Sequence, residues 1–185
     1  MRFGYPRLAL VVLLAGLLTA CGFHLRRPPE LPAEMGAIYI MSGPGDDPTL
    51  LRDLRRTLET GSSRVVDDAT HATALLHIIQ VSRYSTLLAV SNTGVPLEYK
   101  ATYQVQFSLL VGNSMLIEPQ TLVLSRTYNY NISDALGNQE QEQGLYSTMA
   151  SDMAQRITSR IQAAAKAALP PATAAPAPAT RAPRG

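Results

Sequence analysis

The chain has 185 residues, 46% of them hydrophobic, with a single cysteine and no tryptophan, which suits one ordinary domain with terminal segments attached. Its formal charge of +2 is carried by the ends: without Arg2, Arg7, Arg181 and Arg184, twelve basic residues face fourteen acidic ones. That balance argues against nucleic acid as a partner, and one cysteine excludes an intramolecular disulfide.

Arg2 and Arg7 form a positive n-region, and every residue from Leu8 to Leu18 is apolar or Gly. This run is short for a helix crossing about 30 Å of hydrocarbon and fits the h-region of a signal peptide. Leu18-Thr19-Ala20-Cys21 follows and resembles a bacterial lipobox. Residues 1–20 are therefore expected to be a lipoprotein signal peptide, with Cys21 the lipid-attachment residue. An uncleaved anchor, or an ordinary cleavage site with a chance cysteine, is the competing reading. Diacylglycerol plus an N-acyl chain on Cys21 would anchor stably where a single chain would not. Gly22 stands where many lipoproteins retained in the inner membrane have Asp, so the periplasmic side of the outer membrane is the expected location.

Pro28, Pro29 and Pro32 make a stiff, extended lead-in. Residues 37–41 read as a first strand, closed by Gly43-Pro44-Gly45. Asp47 before Pro48 is an N-cap with proline at the first helical position. Leu50, Leu51, Leu54 and Leu58 form that helix's apolar stripe, and Gly61 is its expected C′ residue. Arg52, Arg55 and Arg56 read as a solvated face.

Residues 75–81, continued by 85–91, are rich in β-formers and reach the turn signal Asn92-Thr93-Gly94. The clearest alternation follows. Leu97, Tyr99, Ala101, Tyr103, Val105, Phe107, Leu109 and Val111 share one face; Glu98, Lys100, Thr102, Gln104, Gln106 and Ser108 share the other. After Gly112-Asn113, the residues Leu122, Leu124, Tyr128, Tyr130 and Ile132 alternate through a last strand, interrupted by Arg126, so the three long strands read as an antiparallel meander. A final helix over 138–168 places Leu145, Met149, Met153, Ile157 and Ile161 on one stripe, with Ala150 and Ala164 beside it. Residues 169–185 are Pro, Ala and Thr with two arginines, a composition expected to be disordered.

The expected fold is a two-layer α/β (α+β) domain over 21–168, in the order β-α-β-β-β-α. Two helices cover one face of a four-stranded sheet, and the other, polar face meets water. No catalytic site is expected. There is no Gly-x-Ser-x-Gly elbow and no phosphate loop; His24, His71 and His77 fit no zinc spacing; Asp46-Asp47 and Asp67-Asp68 sit at turns, where Asp caps chains. A hydrolase built on Asp67 and Asp68 is the disfavoured reading. No metal and no cofactor beyond the covalent lipid is implied.

Cys21-Gly22-Phe23-His24-Leu25-Arg26 resembles the Cys-Gly-aromatic-His-Leu-Arg start of mature lipoproteins of the LptE lipopolysaccharide-assembly family. The stretch 94–110, with Glu98-Tyr99 opening the alternating strand, is similar to that family's central hairpin, and 126–161 to its last strand and helix. The resemblance implies a non-enzymatic partner and plug of the LptD outer-membrane β-barrel, assisting delivery of lipopolysaccharide to the surface. It places Asn92 and Asn138 where basic residues have been linked to lipopolysaccharide binding. Asparagine can hydrogen-bond a phosphate without supplying charge. Arg83 and Lys100 are the nearby cations that could substitute, with ordinary surface charge as the competing reading. An adaptor lipoprotein of an ABC-type lipid transporter is the alternative function.

Overall fold

The computed structural model describes residues 35–59 and 63–168. Cys21, the expected signal peptide 1–20, His24, Gly61 and the Pro/Ala-rich tail 169–185 lie outside the described residues.

The alternating stretch becomes strand β4 (Pro96–Val111), an interior strand of a five-stranded sheet ordered β2-β1-β3-β4-β5. Its neighbours β3 (Ala74–Val90) and β5 (Ser114–Asn129) are antiparallel to it, forming the expected meander. β1 (Ala37–Ser42) lies parallel to β3. The expected four strands are corrected to five: β2 (Arg64–Val66) pairs in parallel with β1 as a three-residue edge strand. At that length there is no period to read, and partner backbone supplies the strand. The observed order is β-α-β-β-β-β-α, with a short 3-10 turn over Ala69–His71 before β3.

Helix α1 (Pro48–Glu59) buries Leu50, Leu54 and Leu58, and α2 (Ala135–Ala168) buries Met149, Met153, Ile157 and Ile161, as the apolar stripes require. The helices pack side by side, where Ser151 Oγ donates to Asp53 Oδ2 at 2.5 Å. Both lie on the sheet face that presents Tyr103, Val105, Phe107 and Leu109, all fully buried. α2 starts at Ala135, earlier than expected, because Asp134 Oδ1 accepts from Gly137 N at 2.9 Å and caps it.

β3 carries one feature that parity hides. Ala74, Leu76 and Ile78 point into the core, and so does Val81. A register shift between Ile78 and Gln80 inserts one residue and turns the odd positions inward beyond it. The Gly43–Gly45 turn lies against this bulge. A Cβ on Gly43 would come within 2.4 Å of the Ile79 carbonyl oxygen, and Gly45 adopts φ +75.

The polar face of β4 is less wet than expected. Thr102 is only 4% exposed and Ser108 only 7%, because an interior strand is shielded by neighbours on both sides. Thr102 Oγ1 lies 3.4 Å from Ser125 Oγ across the ladder.

Candidate functional site at the hairpin tip

β3 and β4 are joined by a hairpin whose turn is built by Ser91. Its Oγ accepts from Val95 N at 3.0 Å and Thr93 N at 3.3 Å, while Gly94 takes φ +80. Asn92 is at this turn, exposed. The loop from β5 to α2 closes on the same end of the sheet, where Tyr130 N donates to Leu97 O at 2.8 Å. In the first turn of α2, Asn138 is buried against that loop, and both ends of its amide are used. Its Oδ1 accepts from Asn131 N at 3.0 Å, and its Nδ2 donates to Asn131 O at 2.7 Å. Asn138 thus fixes the loop's shape, while Asn92 lies in the hairpin turn.

Lys100 and Arg83 leave opposite faces of the sheet. Lys100 pairs in register with Thr86 and Thr127 on the face away from the helices. Arg83 lies on the helix face, with Nη1 3.4 Å from Asp47 Oδ2. The four residues are not one cluster.

What the tip does concentrate is apolar surface. Leu87, Leu88, Val90, Leu97, Ile132 and Leu136 are all exposed there, Ile132 at 62% and Leu136 at 68%. Adjacent exposed apolar side chains framed by polar residues mark a contact surface for another molecule. Sequence reading missed Leu87, Leu88 and Leu136, because which apolar side chains stay exposed depends on how the strands and α2 pack together.

Below the tip, tyrosines and polar groups replace an apolar core. Tyr99 stacks on Tyr128 at 5.8 Å and meets Tyr130 edge-on at 5.3 Å. Ser85 Oγ donates to Glu142 Oε1 at 2.6 Å, accepts from Tyr128 OH at 3.3 Å, and lies 3.1 Å from Tyr146 OH. Deeper in, Tyr103 OH donates to Asp47 Oδ2 at 3.1 Å. Burial raises the phenol pKa of three of these tyrosines: Tyr103, assisted by the Asp47 charge, and Tyr128 and the half-buried Tyr146, assisted by the Glu142 charge.

This has a consequence for alkaline stability. A phenol whose folded pKa is raised stabilises the fold fully below the unfolded value of 10.0. Above that pH the unfolded chain loses the proton first, so stability falls. Tyr103 alone contributes a slope of up to about 1.4 kcal/mol per pH unit above pH 10. Urea midpoints at rising pH are expected to fall less steeply for Tyr103→Phe than for the parent chain; parallel curves would refute the assignment.

The remaining titratable groups are arranged for structure. Asp68 Oδ1 caps the 3-10 turn through Thr70 N at 2.9 Å, and Asp67 Oδ1 pairs with Arg55 at 2.5 Å. His71 is exposed beside Asp68, and His77 lies on the far face of the sheet. Among the described residues no group of three or more His, Cys, Asp or Glu could hold a metal ion, and no helix is long and apolar enough to cross a membrane.

The model of the LptE lipopolysaccharide-assembly family matches residues 35–161, more than half of the chain and all five strands. The chain belongs to the LptE family. It is 28% identical over 154 residues to the LPS-assembly lipoprotein LptE of Pectobacterium atrosepticum, covering 82% of this chain and 83% of that one. It is 26% identical over 155 residues to the LPS-assembly lipoprotein LptE of Photorhabdus laumondii, covering 83% and 84%. Among solved structures it is similar to an uncharacterized lipoprotein B of Nitrosomonas europaea, with TM-score 0.64 and 29% identity over 77% of this chain and 91% of that one. Rare lipoprotein B of Shewanella oneidensis shares the fold, with TM-score 0.60 and 23% identity over 69% and 94%.

Proposed function

We propose that this LptE-family chain is an outer-membrane lipoprotein that plugs and scaffolds the LptD β-barrel during lipopolysaccharide assembly, without catalysing a reaction. The observation that carries the reading is the family match over 35–161, which includes the hairpin tip, the tyrosine layer, α1 and most of α2. In this reading residues 1–20 are removed and Cys21 bears diacylglycerol and an N-acyl chain, holding the domain at the periplasmic side of the outer membrane.

The side chains support such a role. The sheet face turned away from the helices carries Thr102, Gln104, Gln106 and Ser108, with Lys100 nearer the tip, and the lumen of a large outer-membrane barrel is polar. At the tip, leucines beside Asn92 suit an amphipathic lipid better than a rigid polar ligand. Lipopolysaccharide contact is assigned to that end, with Asn138 shaping the loop and Arg83 held by Asp47.

The test is purification of the tagged full chain from membranes in mild detergent, followed by identification of what remains bound. A large β-barrel is expected to copurify. Recovery of the chain alone, or of ABC-transporter subunits in place of a barrel, would sink the plug reading.

A further inference from the structure

A second surface runs along the outer edge of the sheet, from its far end towards the tip. β5 forms one edge of the sheet, and no strand of the described residues pairs with its outer side. Gln120–Asn129 matches Glu98–Phe107 residue for residue, so this half of the edge is regular, and alternate backbone N–H and C=O groups point outward. Native edges of this length are usually blunted by proline, charge or a bulge. Here Pro119 and the register shift between Phe107 and Leu109 guard only the start of the strand. Over Gln120–Asn129 the one charged residue is Arg126.

α2 runs beside this edge and leaves a groove. At one end Arg126 pairs with Asp152; at the other, Pro119 and Ile117 face Ala163 and Ala164. Between them, Leu122 forms the floor and Arg156 and Arg160 form the wall. The two arginines are exposed, lie one helical turn apart, and form no ion pair among the described residues. Asp152 is engaged by Arg126, and Glu118 sits at the outer mouth beside Pro119. The groove therefore presents positive charge along an open strand edge.

The geometry points to β5 as a docking edge for an extended, acidic peptide segment of a partner protein. The segment would add as a sixth strand, with its carboxylates turned towards Arg156 and Arg160. Two features select this occupant. A strand satisfies the outward backbone groups, which a lipid headgroup does not. Side chains two residues apart on a strand lie about 6.8 Å apart on one face, and helix positions four apart rise about 6 Å, so successive carboxylates meet successive arginines. The chain's own residues 169–185 carry Arg181 and Arg184 with no acidic residue, and a second copy would bring arginine against arginine; like charge disfavours both. The inference does not depend on the barrel reading.

The test uses the full chain in detergent and a labelled peptide of alternating Glu and Thr. Fluorescence anisotropy measures binding, and amide hydrogen exchange locates it. Salt-sensitive binding is expected, with added protection over Gln120–Asn129. The double variant Arg156→Glu, Arg160→Glu should bind roughly tenfold more weakly, a change of about 1.4 kcal/mol, and should prefer the matching Lys/Thr peptide. The Glu/Thr peptide N-methylated at alternate backbone nitrogens should not bind.

Several results would overturn the proposal. One is equal binding of the N-methylated peptide; another is an unchanged affinity in the double variant. Competition by inorganic phosphate or anionic vesicles as effective as by unlabelled peptide would reassign the groove to a headgroup. Concentration-dependent dimerisation that protects β5 without peptide would reassign it to a second copy. Circular dichroism of the variant, which changes only exposed side chains, separates loss of binding from loss of fold.

Discussion

Replacement of Phe107 by alanine is expected to remove about 3–5 kcal/mol of stability and to lower the melting temperature by on the order of 10 °C. Phe107 is fully buried on β4, opposite Ile78 on β3 and Gln120 on β5. It lies where this interior strand passes beneath the helices. Truncation loses both the apolar transfer energy and the contacts lining the cavity left behind, and a sheet paired on both sides cannot collapse to refill it. Against a typical total of about 5–15 kcal/mol for a domain, the loss is a large fraction. Urea denaturation of Phe107→Ala and Phe107→Leu provides the check, with the leucine variant losing much less. Similar midpoints for the alanine variant and the parent chain would show that this part of the core is not packed as described.

Asp47→Ala is expected to cost about 2–4 kcal/mol, by a different route. Asp47 is 4% exposed, and each carboxylate oxygen has its own task. Oδ1 caps α1, accepting from Thr49 N at 2.9 Å and Leu50 N at 3.4 Å; loss of such a cap costs typically about 1 kcal/mol. Oδ2 accepts from Tyr103 OH at 3.1 Å, and a buried hydroxyl left without an acceptor costs about 1–3 kcal/mol. Arg83 adds little, being half-exposed. The two contributions separate in a double-mutant cycle. On a Tyr103→Phe background no hydroxyl remains to be stranded, so Asp47→Ala should cost only the cap. Additive losses would mean that the Asp47–Tyr103 contact carries no energy.

Asp47 also shows how far reading the chain reaches. Its capping role follows from Asp-Pro ahead of a leucine stripe, because a cap is a local arrangement of neighbouring residues. Its bond to Tyr103 joins residues that only the packing of α1 on the sheet brings together. Asn138 behaves alike. The family resemblance singles it out, but only the folded loop shows its amide engaged with Asn131. Lys100 and Arg83 are close in sequence terms, yet the pleat and the β3–β4 register place them on opposite faces.

By itself the sequence determined the meander, both amphipathic helices, the turns at Gly43–Gly45 and Asn92–Gly94, and the absence of any recognisable catalytic motif. Each of these rests on a short-range period or on a residue's own backbone preference. Tertiary structure alone decided the parallel β2 edge, which is too short to carry a period, and the bulge after Ile78 that returns Val81 to the core. It also decided the burial of Thr102 and Ser108 under flanking strands, and the meeting of the open β5 edge with Arg156 and Arg160. These depend on which segments become neighbours in space. That choice is made by the pooled burial of many side chains, a quantity no local stretch of the chain contains.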